Sequence, residues 1–255
     1  MAAIPPTSDD AFLGGALRIL QPCDGYRAGL DAVLLAATAR GRRILDVGAG
    51  VGVVGLAIAR RLAPAHVTLV ERDGLLARLA RANIERNELV GRVRVVEADL
   101  VQPLSELGEL YPLAESFDEV LANPPFHIQG RGSVARHPMK EAARAMAEGD
   151  LDRWFRFMAA MARPGGKALM INRTEALTSM LAAAAGRFGG LILLPIHSKV
   201  GEAANRVLLA ATKGSRAPLT LLPGMVLHDS RGGFRREIKA LLRGSRALEL
   251  EATLG

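Results

Sequence analysis

Short apolar runs recur along the chain at 43–47, 67–70, 93–96, 119–122, 168–171, 191–194 and 207–211, punctuated by glycine, proline and acidic residues. Runs of this length and punctuation predict strands, seven in all. Between them, segments 53–62, 75–87, 151–162 and 176–188 place apolar residues three and four apart, the spacing of amphipathic helices. A further helix is predicted over 29–39, ahead of the first strand, and a short one over 143–147. Strand and helix in alternation imply an α/β, doubly wound and mostly parallel sheet. The last two strands break the rule. Only 12 residues separate Leu194 from Val207, with no helical period among them. A crossover helix does not fit there, so an antiparallel hairpin is expected at one sheet edge. No internal repeat or linker divides the chain.

Composition changes this picture little, but charge adds to it. A 255-residue chain that is 49% hydrophobic, with 27 Gly and 13 Pro, is a packed protein and neither disordered nor fibrous. The single cysteine, Cys23, allows no internal disulfide and is read as structural, which fits a reducing compartment. No Cys/His set has zinc-ligand spacing, so no metal is expected. The first residues lack a basic segment followed by an apolar one, and no run approaches the length of a membrane span; the expected location is the cytoplasm. The formal charge is +7, carried mostly by arginine, which points to a polyanionic partner such as nucleic acid. Two stretches concentrate it. One holds Arg131, Arg136, Lys140 and Arg144 against Glu141; the other holds Arg231, Arg235, Arg236, Lys239, Arg243 and Arg246 against Glu237. Both are candidate phosphate contacts. The second is read alternatively as a homodimer contact. With 4% aromatic residues, a platform stacking several successive bases is not expected.

The strand at 43–47 ends in Asp46-Val47-Gly48-Ala49-Gly50-Val51-Gly52 and leads into a helix. Glycines at 48, 50 and 52 let the backbone turn tightly and approach a ligand closely. Gly50 to Gly55 also satisfy G-x-G-x-x-G, and Glu71 follows Gly52 by 19 residues, so a dinucleotide site of an NAD-dependent oxidoreductase is an alternative. Asp46 before the glycines and a second acidic strand end, Asp99, argue against it. The set resembles the class I S-adenosylmethionine-dependent methyltransferases, whose first three motifs match Asp46 to Gly52, Glu71 and Asp99. The resemblance implies a Rossmann-like, seven-stranded sheet with a reversed last strand. It also implies a glycine turn against the methionine part of the cofactor, Glu71 on the ribose and Asp99 on the adenine amine.

After the fourth strand stands Asn123-Pro124-Pro125-Phe126. An exocyclic or amide nitrogen is a poor nucleophile because its lone pair is delocalised. The Asn123 side-chain oxygen and the Pro124 carbonyl are two acceptors able to take both N–H groups and aim the lone pair. Proline fixes φ and offers no donor, and Phe126 supplies a flat face for a planar target. The tetrapeptide resembles the fourth motif of amino-methyltransferases acting on adenine N6, cytosine N4, guanine N2 or glutamine N5. Segments 14–22, 25–36, 205–209 and 218–228 extend the likeness to the bacterial tRNA1(Val) adenine-N6 methyltransferase family, over roughly 12–229. That resemblance implies methyl transfer from S-adenosylmethionine, with S-adenosylhomocysteine as product, to an anticodon-loop adenine of a tRNA. It further implies an N-terminal segment, 1–40, packed on the cofactor site, where Tyr26, Arg27 and Asp31 close the methionine end. A catalytic domain, 41–230, and a basic C-terminal segment, 231–255, complete the expected organisation. The fourth motif departs from the family in ending with Phe126 where a Tyr is usual. His127 follows, and Asn-Pro-Pro-Phe-His also resembles ribosomal RNA guanine-N2 methyltransferases. Guanine-N2 in RNA and glutamine-N5 in protein therefore stay as alternative acceptors.

Overall fold

A computed structural model describes residues 6–25, 27–125 and 150–250. All seven apolar runs are strands of one sheet: β3 (Arg43–Val47), β4 (His66–Glu71), β5 (Val93–Glu97), β6 (Phe117–Ala122), β7 (Ala162–Arg173), β8 (Phe188–His197) and β9 (Ala204–Lys213). Two two-residue strands the sequence did not signal, β10 (Thr220–Leu221) and β11 (Met225–Val226), pair with β8 and bring the sheet to nine strands. The order is β10-β8-β9-β7-β6-β3-β4-β5. The expected hairpin forms between β8 and β9, and β9 inserts between β8 and β7, antiparallel to both.

The sheet is buried on both faces because the strands are apolar at successive positions. Ile44, Leu121, Leu169 and Leu208 pack into one core cluster with helices α1 (Leu30–Thr38), α2 (Val53–Arg61) and α3 (Gly74–Arg86). Leu45, Val120, Met170 and Leu209, their chain neighbours, pack into a second with α4 (Asp150–Met161) and α5 (Leu177–Ala184). A helix predicted to run to 188 stops at Ala184, because Gly186 takes φ +75° and Phe188 already begins β8. The helix expected over 143–147 lies outside the described residues. The basic segment contains a helix missed in the sequence, α6 (Arg236–Leu242), which buries Ile238 and Leu241 in the first cluster. Cys23, read from the sequence as structural, is exposed. No helix among the described residues is long and apolar enough to cross a membrane.

The N-terminal segment is an antiparallel hairpin, β1 (Thr7–Phe12) with β2 (Leu17–Pro22), outside the main sheet. Its outer edge is satisfied by side chains. Asn87 accepts from the Arg18 N–H at 3.0 Å and donates to the Arg18 carbonyl at 2.8 Å. Asn83 does the same for Leu20, at 2.8 and 3.1 Å. Four helical residues rise about 6 Å and two strand residues about 6.8 Å, so an i, i+4 pair of carboxamides on α3 matches alternate residues of a strand. Asn83 also donates to the Val51 carbonyl at 3.1 Å, which ties the hairpin to the glycine turn. Replacing Asn83 with alanine removes these bonds from buried backbone groups, and urea unfolding is expected to show a loss of roughly 2 kcal/mol.

Candidate cofactor and acceptor site

Parallel strands deliver their C-terminal ends to one edge, and a cavity of about 330 Å³ opens there over β3, β4, β5 and β6. Its floor is the turn after β3. Gly48, Gly50 and Gly52 have φ of +64°, +57° and +90°, a region other residues enter only with strain. A Cβ on Gly48 would lie 2.4 Å from the Trp154 ring, whereas one on Gly50 would meet nothing within 4 Å. Gly50 therefore presents bare backbone to the cavity. Gly52 faces inward, where a Cβ would sit 2.9 Å from Leu69, so its part is the packing of α2 on β4.

Two buried carboxylates brace this turn. Asp46 accepts from the Gly55 N–H at 2.9 Å, and Glu71 accepts from the Gly50 N–H at 2.8 Å and the Asp73 N–H at 2.9 Å. Burial pushes the Asp46 carboxyl up to about 7, helped by the charge of Glu71 and opposed by the Gly55 N–H. Burial also raises Glu71, against the N–H groups it accepts from. Asp99, after β5, accepts from the Val101 N–H at 3.0 Å and so shapes the 99–102 turn that lines the cavity.

Asn123 and Pro125 line the same cavity, beside Asp46, Gly48, Gly50, Glu71 and Asp99. Asn123 and Pro124 are buried at the end of β6. Phe126 and Tyr26 lie outside the described residues. Arg27 and Asp31, expected at the methionine end, are engaged elsewhere and do not line the cavity. The Arg27 guanidinium sits 2.5 Å from Asp10 on β1, and Asp31 sits 2.5 Å from Arg206 on β9. Burial raises the Asp31 carboxyl, and Arg206 counters that rise. The N-terminal contribution comes from residues sequence reasoning passed over: Gln21, Pro22, Ala28 and Ala32 line the cavity. Gln21 fixes the approach, accepting from the Ala28 N–H at 2.9 Å and donating to Asp10 at 2.7 Å. Trp154 and Asp73 were missed as well. The signal for Asp73 was present, since it accepts from the Leu75 and Leu76 N–H groups as the N-cap of α3. Trp154 reaches the cavity only through the packing of α4.

The methyltransferase small domain family model matches residues 30–151. A protein of Agrobacterium tumefaciens, described as a predicted O-methyltransferase, is 33% identical; the match covers 86% of this chain and 98% of that one, with a TM-score of 0.72. The chain belongs to the S-adenosylmethionine-dependent methyltransferases. Within this class it is similar to proteins named tRNA1(Val) (adenine(37)-N6)-methyltransferase. The one from Shewanella putrefaciens is 28% identical over 82% of this chain and 87% of its own length. That of Aeromonas hydrophila is 29% identical over 74% and 77%.

The methyltransferase cofactor fits the residues present. Bare backbone at Gly50, a buried carboxylate with lone pairs to spare at Glu71, and Asp99 across the cavity suit an aminoacyl chain, a ribose diol and an adenine amine. Gly48→Ala is expected to abolish S-adenosylmethionine binding, read by the fluorescence of Trp154, the chain's one tryptophan. Asp46 predicts a pH dependence. Its carboxyl ionises near 3.8 when unfolded and near 7 when folded, so its contribution to stability is full below 3.8 and lost as pH rises through about 7. Asp46→Asn removes that loss; the stability of the ligand-free variant relative to the parent should grow across this window in pH-dependent urea titrations.

Proposed function

We propose that this methyltransferase modifies the exocyclic N6 amine of an adenine in the anticodon loop of a tRNA. The observation that carries the reading is one cavity lined both by the glycine turn with Glu71 and Asp99 and by Asn123 with Pro125. Relatives named for adenine 37 of tRNA1(Val), aligned over more than four fifths of the chain, support the same acceptor. When bound, S-adenosylmethionine supplies an electrophilic methyl group and leaves as S-adenosylhomocysteine. Asn123 Oδ1 and the Pro124 carbonyl accept the two amine N–H groups, so that the nitrogen lone pair points at the methyl. Pro124 and Pro125 keep that turn stiff and free of competing donors, and Phe126 stacks on the base once it is everted from its loop. Rate enhancement then comes from positioning and electrostatics. The Agrobacterium relative is described as acting on oxygen. A hydroxyl needs a base to take its proton, and the asparagine amide is not one.

In this reading residues 1–40 pack on the cofactor site, 41–230 form the catalytic domain, and 231–255 are a basic C-terminal segment. The reaction belongs in the cytoplasm, with its tRNA. The test is transfer of labelled methyl to unmodified tRNA and to ribosomal RNA, followed by nucleoside identification. N6-methyladenosine from tRNA is expected; N2-methylguanosine, or label only in protein, overturns the reading. Asn123→Ala should lower kcat on the order of 10²-fold, with S-adenosylmethionine affinity retained.

A further inference from the structure

The basic C-terminal helix is ordered and directional in a way the sequence run alone does not reveal. Ile238 and Leu241 are buried against α1, while Arg236, Lys239 and Arg243 are exposed. Their spacing of three and four residues puts the three cations on one outward stripe. Among the described residues no carboxylate lies within ion-pair distance of them; Glu237 faces Arg235 at 3.7 Å, and Glu249 faces Arg40 at 3.8 Å.

The direction of the stripe follows from its ends. The Arg235 N–H bonds to the Leu227 carbonyl, and the Leu227 N–H to the carbonyl of His197, the last residue of β8. β8 runs parallel to β7 and so to β6, which places His197 on the sheet edge that carries Asn123. At the far end the Leu248 N–H bonds to the Ala37 carbonyl, near the C-terminus of α1, on the opposite edge. The cations therefore begin at the rim of the acceptor edge and descend the side of the domain. Arg236 to Arg243 spans about 10 Å of helix, enough to face several successive backbone phosphates.

We propose that this stripe is a second contact surface for the substrate tRNA, holding the sugar-phosphate backbone of a stem while the target base occupies the cavity. The proposal rests on the RNA reading above. Phosphate contacts of this kind position without reading sequence, and they release counterions, so their signature is a salt slope.

The test is the triple variant Arg236→Glu, Lys239→Glu, Arg243→Glu, with Arg236→Gln, Lys239→Gln, Arg243→Gln as a milder companion. The expected result is a KM for full-length tRNA raised tenfold or more, and a plot of log affinity against log salt shallower by about two to three. S-adenosylmethionine affinity and melting temperature should match the parent. If the parent binds tRNA with normal salt dependence and both variants do the same, the stripe is a solvated face and the proposal is wrong. A change in sedimentation with tRNA affinity unaltered makes the stripe a contact between copies and equally overturns it. Should the parent itself show no salt-sensitive tRNA binding, the RNA reading falls and this surface with it.

Discussion

The site depends on one constraint: a backbone turn that glycine makes without strain, held between two buried carboxylates. Asp46 ties the first turn of α2 to the end of β3, and Glu71 ties the middle of the turn to the end of β4. Buried acceptors of backbone N–H groups satisfy donors that would otherwise face the interior. They also take acidic groups out of water, and the raised Asp46 carboxyl is chiefly the consequence of that burial, with the Glu71 charge a smaller addition. A cofactor whose ribose hydroxyls donate to Glu71 would favour the ionised form of that residue. Binding of that kind would couple to protonation at this end of the sheet.

The N-terminal hairpin is a second layer built on the first. It pairs with no strand of the main sheet, and its free edge would leave backbone groups unpaired against α3. Asn83 and Asn87 answer each group with a carboxamide, the same donor and acceptor pair that a neighbouring strand offers. Asn83 then reaches the glycine turn through Val51. By this route Gln21 and Pro22 are set on the cavity wall. Arg27 and Asp31 serve the same end indirectly. Arg27 holds Asp10, which in turn holds Gln21, and Asp31 joins α1 to β9 through Arg206. Asp31 is the buried member of the second pair, so removing Arg206 would leave its charge without a partner.

Charge is distributed unevenly over the molecule. The cavity is lined by carboxylates at 46, 71, 73 and 99 together with Arg72 and Arg153, whereas α6 carries an outward row of cations on a helix anchored to the same core.

Much of this was legible in the chain itself. Buried parallel strands read as apolar runs, and all seven were found, because burial on both faces leaves the pattern little freedom. The reversal of β9 followed from a connection too short for a crossover. The glycine turn, Glu71, Asp99 and Asn123 were legible because each lies within a few residues of a strand end, where local sequence sets position. What stayed hidden was nonlocal. The hairpin's docking pairs residues 18 and 20 with residues 87 and 83. The Trp154 ring reaches Gly48 from an element 106 residues further along the chain. Arg27 and Asp31 were expected at the methionine end from the family resemblance, and nothing in their spacing pointed to Asp10 or Arg206 as their ion-pair partners. Local pattern determined the main strands, most of the helices and the place of the glycine turn; the tertiary structure decided which charged side chains remain available, because ion pairs between distant elements leave no mark in spacing.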